Sequence, residues 1–164
     1  MATVDYFLKV TGIDGESTDD KHKNEIELES WSFGVSNSGS GHSSGTTGSG
    51  AGKASFQDIH FVAKLSKASP KLMLACATGE HISEATLTCR KAGGDQQEYL
   101  TIKLNDAFVS SFQTGGSNGN IVPMDQFSLN FGKCEEVYKQ QDASKGSVSS
   151  PVKVGYNIAA NKKI

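Results

Sequence analysis

The sequence has no surplus of positive charge: 16 lysines and arginines stand against 18 aspartates and glutamates over 164 residues, for a net charge of −2. Lacking a basic stripe, it gives nucleic acid or an anionic membrane little to hold, and neither is an expected partner. No apolar run approaches the roughly 20 residues of a membrane-spanning helix, so membrane insertion is not expected. The opening Met-Ala-Thr-Val-Asp-Tyr carries neither a basic start nor an apolar stretch; it reads as no secretory signal, and folding in the cytosol is expected. Cysteine is scarce. Cys76, Cys89 and Cys134 form an odd set without metal-ligand spacing, which points to buried free thiols and away from disulfides. Aromatics, at 8%, are too few for the lined cavity of an up-and-down carrier barrel.

Catalytic signatures are missing too. Gly48-Ser-Gly-Ala-Gly-Lys-Ala has the look of a phosphate loop, but the motif spacing would need a glycine at Thr47 and a hydroxyl at Ala54, and a strand follows where a helix should. His22, His42, His60 and His81 are scattered and read as solvated or strand-surface residues. Asp14, Glu16, Asp19 and Asp20 lack the periodicity of a calcium loop and read as a solvated acidic turn. No nucleophile, metal set or carboxylate pair stands out, so no enzyme, cofactor or metal is expected.

What is present is strand grammar. Residues 5–11, 25–35, 56–65, 84–90, 98–112, 126–138 and 152–158 alternate apolar and polar side chains, and residues 1–164 fit one domain. Inward parity changes between Ile26/Leu28 and Trp31/Phe33, which predicts a β-bulge near Glu29–Ser30, and a second is expected at Asn105–Asp106. If Trp31 and Phe33 are buried, Ser32 between them faces out. Residues 36–52 are almost wholly Gly, Ser and Thr and cannot bury enough apolar surface to order themselves, so they read as a long excursion.

One stretch reads as a helix, Pro70–Thr78, with Ser69 as its N-cap, Pro70 in first position and Gly79 as the left-handed residue after its end. Those nine residues span only about 14 Å and need tertiary support. Leu72, Met73, Leu74, Ala75, Cys76 and Ala77 run all round the axis, so burial on every side is expected. One barrel covers one face; the other needs a long loop or a second copy, which makes Leu72, Met73 and Cys76 candidate subunit-interface residues. The expected architecture is mainly β, an antiparallel barrel or two packed sheets carrying one short helix.

These features resemble the haemolysin-coregulated protein (Hcp) family, the tube subunits of bacterial type VI secretion systems. The resemblance spans nearly the whole chain. It is carried by Gly15-Glu-Ser17, Glu25-Ile-Glu-Leu-Glu-Ser-Trp-Ser-Phe-Gly34, Ala68-Ser-Pro-Lys-Leu-Met-Leu-Ala-Cys76, Arg90-Lys-Ala-Gly-Gly94, Val109-Ser-Ser111 and Gly155-Tyr-Asn-Ile158. Two positions depart from the common pattern: Phe33 stands where members carry Trp, and Ser66 where they carry Asp.

The resemblance implies a homo-hexameric ring that stacks into a tube inside a contractile sheath. It implies export with the spike protein and small effector proteins, so the chain would be cytoplasmic when assembled and secreted afterwards without a signal peptide. In the family the serine of this Trp-Ser-aromatic-Gly motif looks into the pore that holds effectors, which makes Ser32 a candidate cargo contact. The excursion, with Ser38, Gly41, His42, Gly45, Gly48, Gly50 and Lys53, is a candidate ring-stacking loop. A β-barrel carrier of small molecules is the alternative function.

Overall fold

The structure, a computed structural model, describes residues 4–38, 52–93, 96–142, 146–147 and 150–164. Within these the chain forms β1 (Val4–Val10), β2 (Ile26–Ser32), β3 (Val35–Asn37), β4 (Ala54–Phe56), β5 (Ile59–Lys64), α1 (Ala68–Thr78), β6 (Ile82–Lys91), β7 (Glu98–Gly115), β8 (Met124–Tyr138), β9 (Gln141–Asp142), β10 (Gly146–Ser147), β11 (Val152–Asn157) and β12 (Lys162–Lys163). In the order β8-β5-β2-β1-β6-β7 six strands pair antiparallel, and β7 returns to β8 to close a barrel. Closure removes the open edges that a flat sheet of this length would present. β8 outruns the barrel: it pairs with β5 through Met124–Leu129, and beyond Phe131 it takes β11 through Lys133–Tyr138, with β12 outside β11. Two small ladders, β3 with β4 and β9 with β10, stand apart from the main sheet.

Period-two alternation fills the interior. Leu8, Ile59, Phe61, Leu87, Phe127 and Leu129 are each at most 1% exposed, and burying a side chain of this size contributes about 1.5–3 kcal/mol. A barrel of six strands is packed solid by such residues. At one end Phe33, Phe56, Phe131 and Tyr156 form an aromatic cluster, with Phe56 and Tyr156 5.2 Å apart. It anchors the β3–β4 stem, in which Val35, Ser36 and Asn37 pair with Phe56, Ser55 and Ala54. The excursion is thus paired at its base, through residues read as unstructured. The remainder of the excursion, residues 39–51, lies outside the described residues.

The bulge expected near Glu29–Ser30 is present, as a register shift between Leu28 and Ser30 against β5. The one expected at Asn105–Asp106 is not a bulge. Buried parity does slip there, from Leu104 to Ala107, but β6 slips alongside it, from Ala85 to Ile82, and so does β8, from Cys134 to Phe131. Leu104 stays opposite Ala85 and Cys134, Ala107 stays opposite Ile82 and Phe131, and pairing runs on without an extra residue. At the switch Asp106 takes φ 52°, and a Cβ on facing Gly132 would lie 3.3 Å from the Asp106 Cβ. Against β8 the bulge in β7 comes later, between Val109 and Ser111.

Helix α1 starts two residues earlier than expected, and its cap is different. Ser66 accepts from the Ala68 N–H at 3.2 Å while Ser69 accepts from the Ser66 N–H at 3.0 Å, a reciprocal arrangement of the capping-box kind. Ser69 therefore sits inside the first turn, 4% exposed, and its hydroxyl donates to Asp125 of β8. Pro70 falls in the same turn, where no intrahelical N–H bond is lost. Gly79 ends the helix at φ 65°, as its place in the sequence predicts. Burial is one-sided: Ala68, Ser69, Leu72 and Ala75 face the barrel, while Met73 and Leu74 are 56% and 58% exposed.

Candidate functional site

Cross-strand register decides which outward side chains are neighbours. Ser32 of β2 is exposed and lies opposite His60 of β5; His60 lies opposite Ser128 of β8, and Ser128 opposite Ser111 of β7. The result is one row of short polar groups across four strands. The Val109–Ser111 bulge turns two consecutive hydroxyls the same way, so Ser110 stands 2.7 Å and Ser111 2.5 Å from the Ser128 hydroxyl, which is buried beneath them. A parallel row runs Ser30, Val62, Gln126, Gln113. Neither row holds a carboxylate or an ammonium. Such a face forms neutral hydrogen bonds, each worth only about 0.5–1.5 kcal/mol net, which makes and breaks contacts readily. Alternation placed Ser32 outward correctly. His60, Ser128 and Ser111 were missed as its companions because register is not visible within any one strand.

The three candidate interface residues on α1 separate. Leu72 is 1% exposed in the chain's own core, which corrects the expectation of an interface contact there: the barrel already occupies that face. Cys76 is half-buried and Met73 is open to solvent. Leu74, not singled out from the sequence, is as open as Met73. A second apolar surface sits on β11, where Val152 and Val154 are 63% and 60% exposed despite the clean alternation that predicts burial. Their strand lies beyond the closed barrel, so the core ends before it reaches them. Ser38 and Lys53 are exposed beside the β3–β4 stem; Gly41, His42, Gly45, Gly48 and Gly50 lie outside the described residues.

The cysteines are free, as expected. Burial pushes the Cys89 thiol up to about 12 and raises Cys134 as well, so neither is a ready nucleophile.

The acidic turn is not simply solvated. On β1 and β6 the outward Phe7 and Arg90 are each 3% exposed because the β1–β2 connection folds over them. Asp19 takes the Arg90 guanidinium in a two-pronged pair at 2.9 and 2.5 Å, and Asp5 adds a third contact at 3.2 Å. The Arg90 hydrogen bonds hold the Asp19 carboxyl down at about 2, and Asp19 raises Arg90 in turn. His22, read from the sequence as solvated, is 6% exposed. It stacks on Phe7 at 4.4 Å, with Glu25 and Glu98 2.7 and 2.8 Å from its two ring nitrogens.

A family model described as "Type VI secretion system effector, Hcp" matches residues 7–138. The chain is 45% identical over 159 residues to Protein hcp1 of Pseudomonas aeruginosa, covering 96% of this chain and 97% of that one. Among solved structures, that of a type six secretion system protein superposes with a TM-score of 0.90 at 30% identity, covering 99% of this chain and all of that one. Hcp1 of Salmonella typhimurium gives 0.79 at 35% identity with the same coverage. The likeness in sequence and in fold thus runs along nearly the full length of proteins of one kind, and the chain belongs to the Hcp family of type VI secretion proteins.

Proposed function

We propose that the chain is a structural subunit of the type VI secretion tube, closing into homo-hexameric rings that stack and leave the cell with the spike and small effector proteins when the surrounding sheath contracts. The carrying observation is that two apolar surfaces stay uncovered at different places on one chain, Met73 and Leu74 on α1 and Val152 and Val154 on β11. Two unlike patches that fit each other make a head-to-tail contact, and head-to-tail contacts generate rings. The polar rows through Ser32 and His60 suit the other requirement, a surface that holds cargo weakly enough to release it. The stem carrying Ser38 and Lys53 presents the excursion as the contact between stacked rings. A small-molecule carrier would need space inside the barrel, which Phe61 and Phe127 fill. No catalytic step is part of this reading.

Native mass spectrometry at micromolar concentration tests it. A mass six times that of the chain is expected for the wild type. The single mutant Met73→Glu should move the protein to monomer while leaving the chain folded by circular dichroism, because the side chain is exposed on the single chain. A wild type that stays monomeric would overturn the proposal.

A further inference from the structure

Besides the buried Ile13, two ionisable side chains of the β1–β2 connection bind the barrel through contacts of different chemistry. One is Asp19 on Arg90. A guanidinium keeps its proton at any ordinary pH, and Asp19 is ionised down to about 2, so this attachment is constant. The other is His22. Glu25, on Nδ1, belongs to the connection itself; Glu98, on Nε2, opens β7 and is 76 residues away, so besides the stacking on Phe7 the Glu98 contact is the polar one that ties His22 to the barrel.

An imidazole has two N–H donors only when it carries the extra proton; the neutral ring has one donor and one lone pair. Here both neighbours are carboxylate oxygens. Whichever tautomer a neutral ring adopts, a lone pair confronts an anion at under 3 Å. Beyond these two carboxylates the charged groups nearby are Asp5 from β1 and Asp19 from the connection, both paired with Arg90 of β6, whose guanidinium lies 4.8 Å from the Phe7 ring centre, and Lys21 and Lys139, which line the cleft beside Glu98.

We propose that residues 21–25 form a proton-dependent strap, hinged at the Asp19–Arg90 pair and latched on Glu98. The strap lies closed over Phe7 while the His22 ring is doubly protonated and lifts when the ring is neutral. Lifting uncovers the Phe7 ring beside a guanidinium on the outer wall of the barrel.

Hydrogen–deuterium exchange of the full chain, in the assembly it forms, tests this between about pH 5 and about pH 8, the span in which histidine switches charge. After correction for the intrinsic pH dependence of exchange, protection of peptides covering 19–25 should fall about tenfold in the wild type, the equivalent of one charge-assisted hydrogen bond. His22→Gln should flatten that dependence, and Glu98→Gln should do the same while keeping the imidazole, which covers the case in which the first variant fails to fold. Equal protection at both ends of the range in the wild type would overturn the proposal. So would an undiminished fall in either variant.

Discussion

Outward side chains of β1 and β6 and outward side chains of β2 and β5 obey the same alternation and end in opposite situations. Phe7 and Arg90 are each 3% exposed under the β1–β2 connection, whereas Ser32 and His60 stay open. The covered wall is large and charged. It is held by a two-pronged ion pair and a stacked ring, because a buried guanidinium is tolerated only when its donors are met. On the open wall Ser32 and His60 carry short polar groups, and the charges further along it, Glu29 and Lys64, pair in solvent, so none of them asks for such compensation. Facing outward is therefore a statement about the sheet and not about water.

The strongest way to break the contrast is Arg90→Ala. It strands Asp19 and Asp5 beside a vacated site, and urea denaturation should register a loss of about 3–5 kcal/mol. Asp19→Asn is milder, about 1–2 kcal/mol near neutral pH, and its signature is the pH dependence. The folded carboxyl sits at about 2, below the ordinary carboxylate value near 4, so its stabilisation is complete above that ordinary value and is lost as pH falls through 2. The gap between wild type and variant should be widest above about pH 4 and close toward pH 2. Smallest is Ser32→Gln on the open wall, where stability should move by no more than about 0.5 kcal/mol. Retention of a co-expressed effector in a pull-down should nonetheless drop; unchanged retention with intact rings would leave Ser32 a plain surface residue.

Local rules reached the strands, the bulge after Leu28, the outward turn of Ser32 and the Gly79 terminus, because each depends on neighbours within a few positions. They did not reach Arg90 and Asp19, which meet across 71 residues, or His22 and Glu98 across 76. The helix cap failed for the same reason. Ser69 is an acceptable N-cap in isolation, but Asp125, 56 residues on, engages its hydroxyl, and Ser66 takes the capping role. Composition described α1 as apolar all round; only packing could say that Leu72 is spent inside and that Met73 and Leu74 are not. Residues 39–51, the core of the stacking expectation, lie outside the described residues.

The joint change of face in β6, β7 and β8 bears on which sequences this barrel can drift into. Rows Ile82–Ala107–Phe131 and Ala85–Leu104–Cys134 are both buried, and the two intervening rows are skipped in all three strands at once. A residue gained or lost at that line in one strand alone would turn half of it inside out against partners that had not moved. Insertions and deletions there are tolerated only in concert, so relatives should differ by substitution along this line and keep their length changes for the turns.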